Sequence, residues 1–138
     1  MSVPVNQRSQ GKLEVCVKAL DLASYTLKIT ANRKIFAEEL QRSLTDKITG
    51  TALDIWTNVW TANNVLVKEE GDLDERLRLQ QEAARLCNIL LSLIELAGKV
   101  FHLTSKRVAY WTGKTVEVRN LIRAWRESDR KRYSAMFR

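Results

Sequence analysis

Across 138 residues this chain contains one proline, Pro4, and five glycines. Proline removes a backbone donor and clashes with the turn before it, and glycine costs helical stability through lost entropy. A chain so poor in both residues is free to run long, uninterrupted helices. A sheet would need alternating β-branched runs closed by Asn-Gly or Asp-Gly turns, and the sequence lacks them. Hydrophobic residues make up 45% of the chain, enough for one compact domain with its own core.

Apolar periodicity predicts four helices. The first runs from about Lys12 to Thr30, with Leu13, Val17, Leu20, Ser24 and Leu27 as its inner stripe and Cys16 and Ala23 beside it. Asn32 is placed to end it in a left-handed turn. The second runs from about Ala37 to Val67 on Leu40, Leu44, Ile48, Ala52, Ile55, Val59, Ala62 and Leu66. Gly50 lies inside it, where close approach of another helix would explain a glycine. Asp72 is the expected N-cap of the third helix, with Glu75 at capping-box spacing. Its stripe is Leu73, Leu77, Ala84, Cys87, Leu91, Ile94, Gly98 and Phe101. The stretch RLCNILLSLIELAGKVF is apolar on more than one face, which points to a subunit contact. Thr104 or Ser105 caps the fourth helix, Lys106 to about Arg130, whose core face is Val108, Trp111, Thr115, Val118, Ile122 and Trp125.

Long helices with short connectors predict an all-α, antiparallel, up-down-up-down four-helix bundle. The bundle should span residues 12–130, between a flexible N-terminal tail at 1–11 and a basic C-terminal tail at 131–138. No apolar run is long enough to span a membrane, and the polar start MSVPVNQRSQGK does not read as a secretory signal. Together with Cys16 and Cys87 on apolar faces, this points to a cytoplasmic protein with reduced thiols.

The charge is unevenly placed. The net charge is +7, yet residues 1–105 hold 13 basic and 13 acidic side chains. Residues 106–138 hold 10 basic and 3 acidic ones, so the last quarter carries the whole excess. Within it, Arg119, Arg123, Arg126 and Arg130 follow helical spacing and fall within an arc of about 60°, centred about 110° from the core stripe. Lys131 and Arg132 continue the basic run. Glu117 and Glu127 are near enough in sequence to pair with some of these arginines. Asp129 is too, though it points nearer the core. Guanidinium groups bind phosphate in bidentate fashion and stack on bases. The row therefore fits a polyanion, or alternatively an acidic partner or subunit. No base-reading motif is present, so nucleic-acid contact should be directed to backbone and shape.

Other chemistry finds little support. His102 is the sole histidine and has no nucleophile or paired base around it. The Glu69–Glu75 acidic run suits a solvated turn at a helix N-terminus. One histidine and two cysteines do not make a metal site, and no glycine-rich phosphate loop occurs. The expectation is a non-enzymatic protein with no cofactor and no metal. Of the four tryptophans, Trp111 and Trp125 belong to the core, Trp56 borders it, and Trp60 is the candidate interface anchor.

The stretches LTDKITGTALDIWTNVWTANNV, RLRLQQEAARLCNILLSLIELAGKVFHLTSKRVAYW and VRNLIRAW resemble the small four-helix-bundle proteins related to those encoded in ribosomal RNA intervening sequences. Within that group the chain is most similar to the accessory variability determinant proteins of diversity-generating retroelements. The intervening-sequence branch tends to carry Asn-Ile-Ala-Glu-Gly near the end of its second helix, where this chain reads TANNVL. The resemblance implies a ring-like homopentamer that binds RNA or DNA without marked sequence preference and associates with a reverse transcriptase. It assigns no individual binding residue.

Overall fold

The computed structural model describes residues 5–37 and 41–137, with side chains from residue 14 onward. The described residues form α1 (Val5–Ala31), α2 (Arg42–Asn64), α3 (Glu70–Val100) and α4 (Ser105–Ser134), then a 3-10 turn at Ala135–Phe137. Among them there is no strand. α1 packs against α2 and α4, and α3 packs against the same two, so the helices stand at the corners of a square in chain order. Cross-helix bonds run in opposite senses along each pair. Trp111 bonds Thr26 while Glu117 pairs with Lys18. Likewise Arg119 reaches Asn88, Arg126 reaches Gln81, and Asp129 reaches Arg76. The architecture is the antiparallel four-helix bundle that the sequence predicts.

α4 buries Trp111, Thr115, Val118, Ile122 and Trp125, its predicted face. α2 buries Ile48, Ala52, Ile55, Val59 and Ala62 as predicted, but it is shorter at both ends, and Leu66 is exposed beyond it. Leu40 lies outside the described residues.

α1 departs from the prediction. Its inner face is Val15, Ala19, Leu22, Ala23, Thr26, Ile29 and Thr30. Val17, Leu20 and Leu27 of the expected stripe point outward instead. Ala19, Ala23, Thr26 and Thr30 keep part of this face small, and Trp111, which is fully buried, donates Nε1–H to Thr26 Oγ1 there at 3.1 Å. Thr26 and Thr30 remain satisfied there, with Thr30 Oγ1 donating to the Thr26 carbonyl at 2.7 Å. α1 also begins at Val5, inside the stretch expected to be a tail.

The connections hold one end of the bundle together. Asn32 does not enter the left-handed region; His102, with φ 53°, is the one non-glycine residue there among those described. Asn32 instead accepts the amides of Ile35 and Phe36 on its carbonyl and that of Lys34 on its side chain. This turn drives Phe36 into the core against Phe101 and Trp111, at ring distances of 4.5 and 6.2 Å. At the end of α3, His102 is the left-handed residue of a Schellman closure in which the Leu103 amide donates to the Gly98 carbonyl at 3.0 Å. Thr104 then caps α4 by accepting the Arg107 amide at 3.2 Å. At the other end, Glu69 rather than Asp72 is the N-cap of α3. Asp72 sits in the first turn and accepts the amides of Glu69 and Lys68 at 2.9 and 3.0 Å, which holds its carboxyl below the usual range. Glu75 pairs with Arg78 instead of completing a cap.

Two glycines exchange the roles expected of them. A Cβ on Gly50 would meet nothing within 4 Å, so no helix approaches closely there. A Cβ on Gly98 would stand 3.0 Å from Val108 Cγ2, so α3 packs tightly on α4 at Gly98. Most of the broad apolar surface of α3 is covered within the chain, although Leu96 stays exposed. Leu86, Leu90, Ile94 and Ala97 are buried in the core, and Ile89 and Leu93 pack on its edge.

Candidate nucleic-acid interface

The six basic residues singled out in the sequence fall into three settings. Arg119, Arg123 and Arg126 occupy the seam where α4 meets α3. Arg119 Nη1 donates to Asn88 Oδ1 at 2.9 Å. Arg126 donates through Nε to the Leu77 carbonyl at 3.0 Å and through Nη2 to Gln81 Oε1 at 3.1 Å. These acceptors are neutral, so neither guanidinium group is tied up in an ion pair, although Arg126 also acts electrostatically on Glu127. Arg123 is exposed and forms no hydrogen bond or ion pair within the described residues. The seam thus presents three arginines, none in an ion pair among the described residues, over about two turns of helix.

Arg130 and Lys131 differ. Arg130 makes a bidentate pair with Glu127, at 3.0 and 2.7 Å, and Lys131 stands 3.9 Å from the same carboxylate. The Arg130 guanidinium holds Glu127 below the usual carboxylate range, and Glu127 in turn raises Arg130. Such exposed pairs contribute little stability but remove local positive potential. Glu117, the other candidate partner, turns to Lys18 on α1 at 3.3 Å.

Arg132 belongs to neither group, because α4 continues past Arg130 to Ser134 rather than dissolving into a tail. Arg132 Nη2 donates to Asp129 Oδ1 at 3.2 Å and to the Tyr133 hydroxyl. Asp129 is buried and also accepts from Arg76 Nε and Gln80 Nε2, both at 2.7 Å. The Arg76 guanidinium lies over the rings of Trp125 and Tyr133, at 5.3 and 5.9 Å. Four buried polar atoms of this cluster, Arg76 Nη2, Gln80 Oε1, Trp125 Nε1 and Arg132 Nε, have no partner among the described residues. The cluster ties the end of α4 to α3 and was not foreseen from the sequence. Its only signal there is three polar residues, Arg76, Gln80 and Asp129, in register with apolar stripes.

Beneath the seam, burial pushes the Cys87 thiol up to about 12, against the pull of Arg119 and Arg123. A thiol held protonated in this way is a small apolar core group. Among the described residues, no group of three or more His, Cys, Asp or Glu side chains could hold a metal ion. Within them, too, no helix is long and apolar enough to cross a membrane.

Trp60 is exposed and stacks at 5.6 Å on the half-buried Trp56. It belongs to a wider apolar surface. Val17, Leu20, Leu27, Leu53 and Trp60 are each at least 41% exposed. On α1, Lys18 and Tyr25 face α4. Helical geometry turns Leu20 and Leu27 about 150° and 170° from that flank, outward and toward α2. On α2, Gly50, Asp54 and Asn58 line a polar groove of about 420 Å³ against α3, and Leu53, Trp56 and Trp60 lie on the opposite flank. The outer surface of the α1–α2 pair is therefore apolar, on the edge of the bundle opposite the arginine seam.

Comparison with protein-family models, curated proteins and solved structures finds no match for this chain.

Proposed function

We propose that this chain is a non-enzymatic, oligomeric, nucleic-acid-binding protein of the cytoplasm that binds phosphate backbones through the α3–α4 seam. The observation that carries the reading is the state of Arg119, Arg123 and Arg126. Two are oriented by neutral acceptors, one is unpaired, and all three keep their charge. Arginine aligned in this way meets phosphate oxygens without first breaking an ion pair. Arg130, Lys131 and Arg132 are secondary in this reading, since carboxylates already face them. Oligomerisation is supported by the apolar α1–α2 surface, which a symmetric assembly would bury while repeating the seams around it. The resemblance to accessory variability determinant proteins adds a reverse transcriptase as the class of protein partner and five as the number of subunits.

The test is a fluorescence-anisotropy titration with labelled RNA and duplex DNA at low and high salt. Wild type should bind both, with affinity falling steeply as salt rises. Replacing Arg119, Arg123 and Arg126 together by Glu should weaken binding by more than about tenfold and flatten the salt slope by about one unit per lost phosphate contact. No binding at low salt would sink the proposal. A triple variant that loses assembly but keeps its affinity would assign the seam to an acidic subunit or partner instead.

A further inference from the structure

A second surface lies on the α1–α4 edge, away from the arginine seam. Tyr25 of α1 and Tyr110 of α4 meet edge to face, with ring centroids 5.2 Å apart and planes at 64°. Tyr25 is braced from below by the buried Trp111 at 6.1 Å. Tyr110 is 56% exposed, which is unusual for a ring already committed to an aromatic contact. Lys114 Nζ stands over both rings, 5.2 Å from Tyr110 and 5.8 Å from Tyr25. Arg107 lies one helical turn before Tyr110 on α4. Lys28 lies one helical turn beyond Tyr25. Lys28, Arg107 and Lys114 form no ion pair among the described residues. Of the carboxylates on this edge, Glu117 is held by Lys18, and Asp21 lies one turn back along α1 toward it.

We infer that this edge binds unpaired nucleotides, with Tyr110 as the stacking platform and Lys28, Arg107 and Lys114 contacting the adjoining phosphates. The inference rests on the nucleic-acid reading above and adds a preference for single strands at this site. Its physical basis is the combination of a rigidly backed, exposed ring with uncompensated cations on both sides, the pattern that binds single strands without reading sequence. A duplex hides its base faces and offers such a ring nothing beyond phosphate. Trp60, also an exposed ring, lacks the electrostatic half. Its neighbours one turn away are Trp56, Thr57, Asn63 and Asn64, none of them charged.

The experiment compares a labelled oligothymidylate with a duplex of equal length, using the full chain and its Tyr110→Ala, Tyr110→Phe, Lys114→Ala and Arg123→Glu variants. Circular dichroism checks that each variant stays helical. Tyr110→Ala should weaken oligothymidylate binding about tenfold and leave duplex affinity within about twofold. Tyr110→Phe should bind as wild type, since stacking needs the ring and not the hydroxyl. Lys114→Ala should weaken the single strand more than the duplex, and Arg123→Glu should weaken both. Unchanged oligothymidylate affinity in Tyr110→Ala would overturn the platform while leaving the seam reading intact. Equal losses on single strand and duplex would overturn the single-strand preference. A wild type that binds neither ligand would overturn both readings.

Discussion

At the scale of single residues, Asp129 shows how much depends on one carboxylate. It takes bonds from Arg76, Gln80 and Arg132, and the first two are as buried as it is. Removing one partner of such a set leaves a charge stranded in a poorly solvated interior. Asp129→Ala should therefore destabilise the fold by about 3–5 kcal/mol in urea unfolding. The cluster itself is imperfectly satisfied, with four polar atoms unpartnered. Replacing the group together, by Arg76→Met, Gln80→Leu and Asp129→Leu, should return stability to within about 2 kcal/mol of wild type or above it. If the single and triple variants proved equally unstable, the cluster would hold something beyond charge balance. The sequence placed Asp129 nearer the core but not its partners, because Arg76 and Asp129 lie 53 positions apart and spacing along one helix does not reveal a bond to another.

At the scale of the helix, legibility followed side-chain size. α4 carries large apolar residues at its core positions, so spacing alone found its face. α1 sets Ala19, Ala23, Thr26 and Thr30 beside Leu22 inside and leaves Val17, Leu20 and Leu27 outside, so a reading weighted by hydrophobic bulk chose the wrong face. The signal that could have corrected it is a partner property, the need of the indole of Trp111 for both room and an acceptor. The same holds for the glycines, since only the neighbouring helix distinguishes them. Gly50 faces open space, so Gly50→Ala should raise stability by about 0.5–1 kcal/mol through helix propensity. Gly98→Ala gains the same propensity but drives a methyl to 3.0 Å from Val108 Cγ2. It should be neutral or destabilising by about 1–3 kcal/mol. Thermal melts of the two variants, run side by side, check the sign of each effect. A lower melting temperature for Gly50→Ala would contradict the open geometry.

At the scale of the whole molecule, the square of helices gives each edge its own chemistry. The α3–α4 edge carries the arginines, the α1–α4 edge the tyrosines and unpaired cations, the α2–α3 edge a groove of mixed charge, and the α1–α2 edge exposed leucine and tryptophan. The sequence located the basic excess but not this division, which depends on which helices are neighbours. An apolar edge on a chain of net charge +7 needs a partner that covers it without adding positive charge beside it. A second copy meeting through α1–α2 meets that condition, because the arginine seams then lie on the far sides and point outward. Leu20→Glu with Trp60→Glu places two carboxylates in the middle of that surface, at positions where an isolated subunit would solvate them freely. Native mass spectrometry at micromolar concentration should show wild type as an oligomer and the double variant as a monomer with unchanged helical circular dichroism. Because an oligomer would repeat weak seam contacts, the monomer should also bind long RNA at least about a hundredfold more weakly, while its affinity for a short duplex that spans one subunit changes little. An oligomeric double variant would move the subunit contact to another edge, and a monomeric wild type would remove avidity from the mechanism and leave the three seam arginines to act alone.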